Sequence, residues 1–151
     1  MLINRRSVRI EWGDCDPAGI VFYPRYIAIF DACTSALIER ALGMTTADYL
    51  KAYDFSGHPL INTQARFLIP IRFGDDVVIE TAASAFNGSS FDVRHRLLRD
   101  GVLAVEGFET RMWVRADPED PAKTKSIPMP EDVIARLSLQ AEDRERMTRD
   151  S

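Results

Sequence analysis

Sulfur and imidazole are scarce in this chain, with two cysteines, Cys15 and Cys33, and two histidines, His58 and His95, in 151 residues. Two thiols cannot build a disulfide framework, which makes a reducing cytoplasm the expected compartment. Two widely separated histidines give no His-rich metal site. Long apolar runs are missing as well, and none approaches the ~20 residues of a membrane span. The opening residues, MLINRRSVRIEW, lack the apolar block and small-residue cleavage site of a secretory leader. There is no excess of positive charge. The net charge of −4, with both signs mixed, argues against nucleic acid as the main partner. What is present suits one folded domain: 46% hydrophobic residues, on a chain long enough to bury a sizeable core. The expected division is a single domain over residues 1–140 and a charged tail, 141–151, that frays.

Hydrophobic spacing sets the expected elements. In residues 7–12, Val8, Ile10 and Trp12 alternate with Arg9 and Glu11, the pattern of a half-buried strand. Residues 13–19 are rich in turn formers. The spacing predicts a helix over 24–42, because Pro24 suits the first helical position and Gly43 the position just past the end. Ile27, Phe30, Thr34, Leu37 and Ala41 share one face, while Ile29, Cys33, Ala36 and Ile38 widen it. Asp31, Ser35 and Glu39 leave only a narrow polar stripe, so this helix is mostly enclosed by protein. A short helix and a loop over 45–57 precede a strand-rich half. Strands are expected at 60–67, after a turn at 74–76, at 91–98 and at 102–114, with a break at Pro70 and a hairpin at Asn87-Gly88. Residues 116–130 read as a Pro-rich loop and 130–139 as a closing helix. Short turns between neighbouring strands predict an antiparallel meander. One helix covers one face of such a sheet, and a homodimer is the simplest way to close its open edges.

The segment GDCDPAGIVFYPRY, residues 13–26, concentrates the chemistry. A helix N-terminus offers unpaired N–H groups and the positive end of a dipole, which suits a developing oxyanion. Pro24 has no N–H, so the candidate donors are Tyr23, Arg25 and Tyr26. Asp16 precedes Pro17 and is biased to extended backbone, from which its carboxylate can point toward the helix start; a turn aspartate bonding its own backbone is the plainer alternative. Asp14 is assigned to the bonding of loop amides. Cys15 lies between two carboxylates, which raises a thiol pKa and suppresses the thiolate, so it reads as a packed thiol rather than a nucleophile. Cys33, on the apolar helix, reads as core. Asp31 is a candidate partner for a polar substituent on a ligand, or a member of a solvated stripe with Ser35 and Glu39. His58 either meets a ligand or only packs, and His95, alternating with Val93 and Leu97, reads as a paired sheet residue.

The order strand–helix–four strands resembles the hotdog fold, an α+β architecture whose curved antiparallel sheet wraps one long central helix. Residues 13–26 are similar to the signature of the 4-hydroxybenzoyl-CoA thioesterase family, in its aspartate-dependent branch. GDDVVIET and SSFDVRH support a resemblance that runs from the first strand through Val114. The resemblance implies hydrolysis of an acyl-CoA thioester to the free acid and CoA, with aryl groups such as 4-hydroxybenzoyl or benzoyl favoured. It implies Asp16 as the catalytic carboxylate, acting as nucleophile or general base, and the Tyr23 amide as oxyanion donor. Asp31, His58 and Ser90 are the expected substrate-binding positions. No metal or prosthetic group is implied. The implied assembly is a dimer or a dimer of dimers, with each active site at a subunit interface. One departure stands out: where the family's aryl-CoA enzyme carries basic residues for the CoA phosphates, this chain has Asn87-Gly88-Ser89-Ser90. The nucleotide grip must then lie elsewhere, with Arg66, Arg94, Arg96 and Arg99 as candidates. Three functions compete: an aryl or short-to-medium acyl-CoA thioesterase, a hotdog hydratase relying on a histidine–acid pair, and a non-catalytic acyl-CoA-binding protein.

Overall fold

The computed structural model describes residues 1–139; the charged tail expected to fray lies outside the described residues. The chain runs β1 (Asn4–Arg9), a single 3-10 turn (Trp12–Asp14), α1 (Tyr23–Leu42), α2 (Thr46–Ala52), β2 (Leu60–Phe67), β3 (Asp76–Asn87), β4 (Ser90–Arg99), β5 (Val102–Met112), β6 (Val114–Ala116), β7 (Thr124–Ser126) and α3 (Glu131–Ser138). Five strands form one antiparallel sheet in the order β1-β3-β4-β5-β2, which leaves β1 and β2 at its edges. This is the wrapped-helix α+β arrangement expected of a hotdog fold. The ends of α1 follow local chemistry. Pro24 sits in its first turn, and Gly43 closes it in the left-handed conformation at φ 66°, its N–H donating to Glu39 O.

Two differences from the sequence reading concern the second half. The strand expected to reach 114 breaks at Trp113, and β6 leaves the main sheet to pair with β7 inside the segment read as a Pro-rich loop. At the β3–β4 turn, Asn87 still pairs with Ser90, so Gly88 and Ser89 form the tip rather than Asn87-Gly88. Gly88 supplies the positive φ that such a tip requires.

α1 lies on the inner sheet face and divides the core in two. Its first half, through Tyr26, Phe30 and Cys33, packs with Val77, Ile79, Leu97 and Val105. Its second half, through Leu37, Ile38 and Ala41, packs with Ala83, Phe91, Val93, Trp113 and α3. Between these apolar clusters runs a buried polar layer. On β3, Thr81 separates Ile79 from Ala83; on β4, His95 separates Leu97 from Val93; on α1, Thr34 lies between Cys33 and Leu37. Glu109 and Arg111 on β5 complete the layer, at 3% and 2% exposed. The helix comes unusually close to the sheet here: Phe30 stacks on His95 at 4.6 Å, and its ring lies over Gly107, where any Cβ would stand 2.6 Å from a ring carbon.

Candidate functional site

The turn before α1 is a small hairpin. Cys15 bridges Val21, Asp16 N donates to Ile20 O (2.9 Å) and Gly19 N donates to Asp16 O (2.9 Å). Gly19 adopts φ 78°, which a side chain would strain. Asp14 braces the entry: its carboxylate accepts from Glu11 N (3.0 Å), and its carbonyl accepts from Phe22 N (2.8 Å). Val21 N donates to Ile71 O, which pins the hairpin to the segment between β2 and β3. The chain therefore enters α1 from a fixed direction, with Asp16 at the hairpin tip and Tyr23 as the first helical residue.

Asp16 Oδ1 accepts from Ala18 N at 2.8 Å, closing an Asx turn; Oδ2 has no partner among the described residues. Of the three candidate amides, Arg25 N is taken by Phe22 O at 2.8 Å, whereas Tyr23 N has no acceptor among the described residues. A turn carboxylate with one free oxygen thus shares a rigid unit with an unpaired helix N-terminal amide. The thiol next to Asp16 is unsuited to attack: Cys15 packs against the apolar core, and burial raises its pKa, with the Asp14 and Asp16 charges adding to the effect.

Aromatic residues line the helix start. Tyr23 and Tyr26 meet Phe67, at the end of β2, with ring centroids 4.9 and 5.5 Å apart. Burial pushes the Tyr26 phenol up to about 12, so it stays protonated. A groove of about 290 Å3 opens between the first turns of α1 and the edge strand β2, lined by Tyr23, Ile27, Ala65 and Phe67 among others. Phe67, Leu68 and Ile61 are about half exposed on or beside that edge.

Asp31 and His58 come together through Arg111. Nη2 of Arg111 donates to Asp31 Oδ1 (2.9 Å) and Glu109 Oε2 (3.1 Å), Nε donates to Glu109 Oε1 (2.9 Å), and Nη1 donates to His58 O (3.0 Å) and meets His58 Nδ1 at 3.3 Å. A guanidinium only donates, so Nδ1 of His58 is its unprotonated nitrogen. Burial, together with the Arg111 charge, lowers the His58 pKa and keeps the ring neutral. For Glu109, burial alone would raise the pKa, but hydrogen bonds from His95, Arg111 and Thr34 prevail and hold it at about 2. His95 is closed in from both sides, Nδ1 by Thr81 Oγ1 (2.9 Å) and Nε2 by Thr34 Oγ1 (3.3 Å) and Glu109 (3.2 Å).

Ser90 stands apart from both groups and donates to Asn87 O within its own turn at 3.1 Å. Among the candidate arginines, Arg94, Arg96 and Arg99 are paired with Glu106, Glu80 and Asp75. Arg66, exposed on β2, has no carboxylate partner among the described residues. Nor does any group of three or more His, Cys, Asp or Glu side chains among them stand where it could hold a metal ion. The sequence reading missed Glu109 and Arg111. The signal was there: with a period of two, both fall on the face of β5 that carries Val105 and Trp113.

Similar proteins share this fold over most of the chain. The 4-hydroxybenzoyl-CoA thioesterase of Pseudomonas sp. (strain CBS-3) is 30% identical over 135 residues, covering 86% of this chain and 94% of that protein. A 1,4-dihydroxy-2-naphthoyl-CoA hydrolase of Prochlorococcus marinus is 30% identical over 112 residues, covering 70% of this chain and 71% of that one. Among solved structures, an aspartate-to-asparagine mutant of 4-hydroxybenzoyl-CoA thioesterase, complexed with 4-hydroxybenzoyl-CoA, has a TM-score of 0.81 at 29% identity, covering 90% of this chain and 99% of that one. Residues 10–137 match the description "Thioesterase-like superfamily", a span that takes in the hairpin, the central helix and every strand of the large sheet after the first, and the chain belongs to that superfamily.

Proposed function

We propose that this protein hydrolyses an aryl-CoA thioester to the free acid and CoA, with Asp16 as the reacting carboxylate and the Tyr23 amide as oxyanion donor. The observation that carries the reading is the free Asp16 oxygen and the unpaired Tyr23 N–H held in one hairpin–helix unit. As the thioester carbonyl is attacked, charge develops on its oxygen. An amide at a helix start, with the dipole behind it, stabilises that charge without reorganising. Asp16 acts by one of two balanced routes. As nucleophile, its oxygen bonds to the carbonyl carbon, the C–S bond breaks to release CoA thiolate, and water then cleaves the anhydride. As general base, it takes a proton from the water that attacks. Both routes need the carboxylate ionised.

The groove beside Tyr23 and its aromatic wall suit a flat acyl group. Asp31 lies eight residues along α1 from Tyr23, about 12 Å of axial rise, farther than an aromatic acyl ring extends from its carbonyl. Asp31 therefore serves the site of a second copy. A homodimer joined along the open β2 edge is the smallest complete unit, and a dimer of dimers is compatible with it. His58, which holds Asp31 through Arg111, borders the same acyl end. Arg66 is the CoA phosphate contact favoured among the four arginines considered, and Ser90 lines the approach. The hydratase reading is weakened because both histidines have their ring nitrogens occupied inside the protein.

Thiol release from a panel of acyl-CoAs tests the reading. The native protein should turn over benzoyl-type thioesters, and Asp16→Asn should lose at least about a hundredfold in kcat with a much smaller change in KM. Tight acyl-CoA binding without turnover would leave the non-catalytic reading in its place. A single turnover in 18O water then tests the nucleophilic route: an acid product carrying an Asp16 oxygen requires the anhydride, cleaved by water at the Asp16 carboxyl carbon, because the general-base route delivers only solvent oxygen.

A further inference from the structure

Within the hairpin–helix unit, Tyr23 N and the Asp16 carboxylate stand on different footings. The amide is placed by α1, whose first half packs against the sheet through Tyr26, Phe30 and Cys33. The carboxylate hangs on the turn between β2 and β3. Four backbone hydrogen bonds join residues 10–21 to that turn: Ile10 N donates to Asp75 O (2.9 Å), Gly74 N to Ile10 O (2.9 Å), Val21 N to Ile71 O (2.8 Å) and Phe73 N to Gly19 O (3.4 Å). They hold the segment near its two ends, with Asp14 and Asp16 slung between. The shape of the turn therefore sets where the Asp16 carboxylate lies. Asp75 closes the turn, its Oδ2 accepting from Arg72 N at 2.8 Å, and Gly74 bends it at φ 85°. Arg99, at the end of β4, ties both sides of the turn to the sheet: its Nη1 donates to Pro70 O and to Asp75 Oδ2, each at 3.3 Å. The Arg99 side chain is 33% exposed and that of Asp75 26%, and a pair so open to solvent contributes little to folding. What it does is fix the place of the turn.

We propose that Arg99 is a positioning residue for the reaction: by holding both sides of this turn it keeps the Asp16 carboxylate in place relative to the Tyr23 amide. The proposal rests on the Asp16–Tyr23 reading above. Stabilisation of a developing oxyanion depends on groups already in place when the bond forms, and a displacement of about 1 Å caused far from the chemistry can cost about a hundredfold in rate. Arg99 acts through Pro70 and Asp75 on the turn, and through the turn on the backbone of Ile10, Gly19 and Val21. Its Nη1 is committed to the turn rather than offered to a CoA phosphate. Because one nitrogen meets both acceptors, a lysine ammonium, with three donors at a point, can take its place.

The test compares kcat and KM for benzoyl-CoA in Arg99→Met and Arg99→Lys, with rates referred to folded protein measured by circular dichroism. Arg99→Met should lower kcat by about ten- to a hundredfold and move KM by less than about twofold, because the loss falls on the transition state. Arg99→Lys should restore most of that kcat. In an Asp16→Asn background, Arg99→Met should change the residual rate by less than about twofold, since the arginine acts through the carboxylate. A native kcat per folded molecule in Arg99→Met, with only the melting temperature lowered, makes the arginine purely structural and overturns the proposal. A raised KM with kcat held makes it a phosphate contact and overturns it too. In either case a kcat lost in Asp16→Asn leaves the thioesterase reading standing. Should Arg99→Met fail to fold, Asp75→Ala decides, since it frees the same turn: an unchanged kcat there removes the proposal. No turnover of any thioester by the native protein removes both.

Discussion

Gly107→Ala is the sharpest stability test the fold offers. An alanine Cβ would lie 2.6 and 2.8 Å from two ring carbons of Phe30. That ring is 2% exposed and stacked on His95 with planes 4° apart. It cannot withdraw without opening the stack or lifting α1 from β5, and His95 cannot follow because Thr81, Thr34 and Glu109 hold it. Overpacking of this kind costs about 1–3 kcal/mol. In a chain of this length that corresponds to a fall in Tm of roughly 2–12 °C. Thermal unfolding followed by circular dichroism measures it. In a Phe30→Leu background the same alanine should cost clearly less, because the clashing ring carbons are gone. A Tm for Gly107→Ala within about 1 °C of native would refute the close-approach argument.

Other expectations follow from the same contacts. Glu109 titrates at about 2 in the folded chain against an ordinary 4.5, so its contribution, on the order of 3 kcal/mol, is fully present above pH 4.5 and is lost as pH falls toward 2; acid titration of Glu109→Gln should show that slope flattened. Cys15→Ala should keep most of the activity that Asp16→Asn loses, and the reverse pattern would end the mechanism proposed here. Ile61→Asp places a charge on the exposed β2 edge and should shift the protein toward monomer in light scattering, with activity falling in parallel. Benzoyl-type CoA should be a better substrate than palmitoyl-CoA, measured by kcat/KM.

Where residues state their own local chemistry, the sequence was enough. Pro24 and Gly43 delimit α1 almost to the residue, and the apolar alternation of β3 and β4 gives their faces. Residues 124–126 escaped because Thr-Lys-Ser has no apolar alternation; the strand exists only because β6 turns away from the sheet to meet it. The turn tip moved by one residue because a bulge between Ser84 and Asn87, with Ala85 at φ 51°, shifts the register ahead of it. The Asp16–Tyr23 unit was visible as a motif, since every residue in it is close in sequence. The Asp31–Arg111–His58 cluster was not, because its members are 80 and 53 residues apart and meet only when α1 settles on β5. Asp31 and His58 drew notice one at a time, and nothing in either segment names the arginine between them.

The wrapped helix also has a consequence for biosynthesis. α1 ends at Leu42, but the strands that enclose it are complete only at Met112. At translation rates of roughly 5–20 residues per second, the helix waits about 4–14 s for its enclosure. During that interval Tyr26, Phe30, Leu37 and Ile38, all buried in the finished protein, have no sheet to lie against. The nascent chain is therefore at its most adhesive midway through synthesis, when a chaperone near the ribosome exit would find an amphipathic helix awaiting its fold.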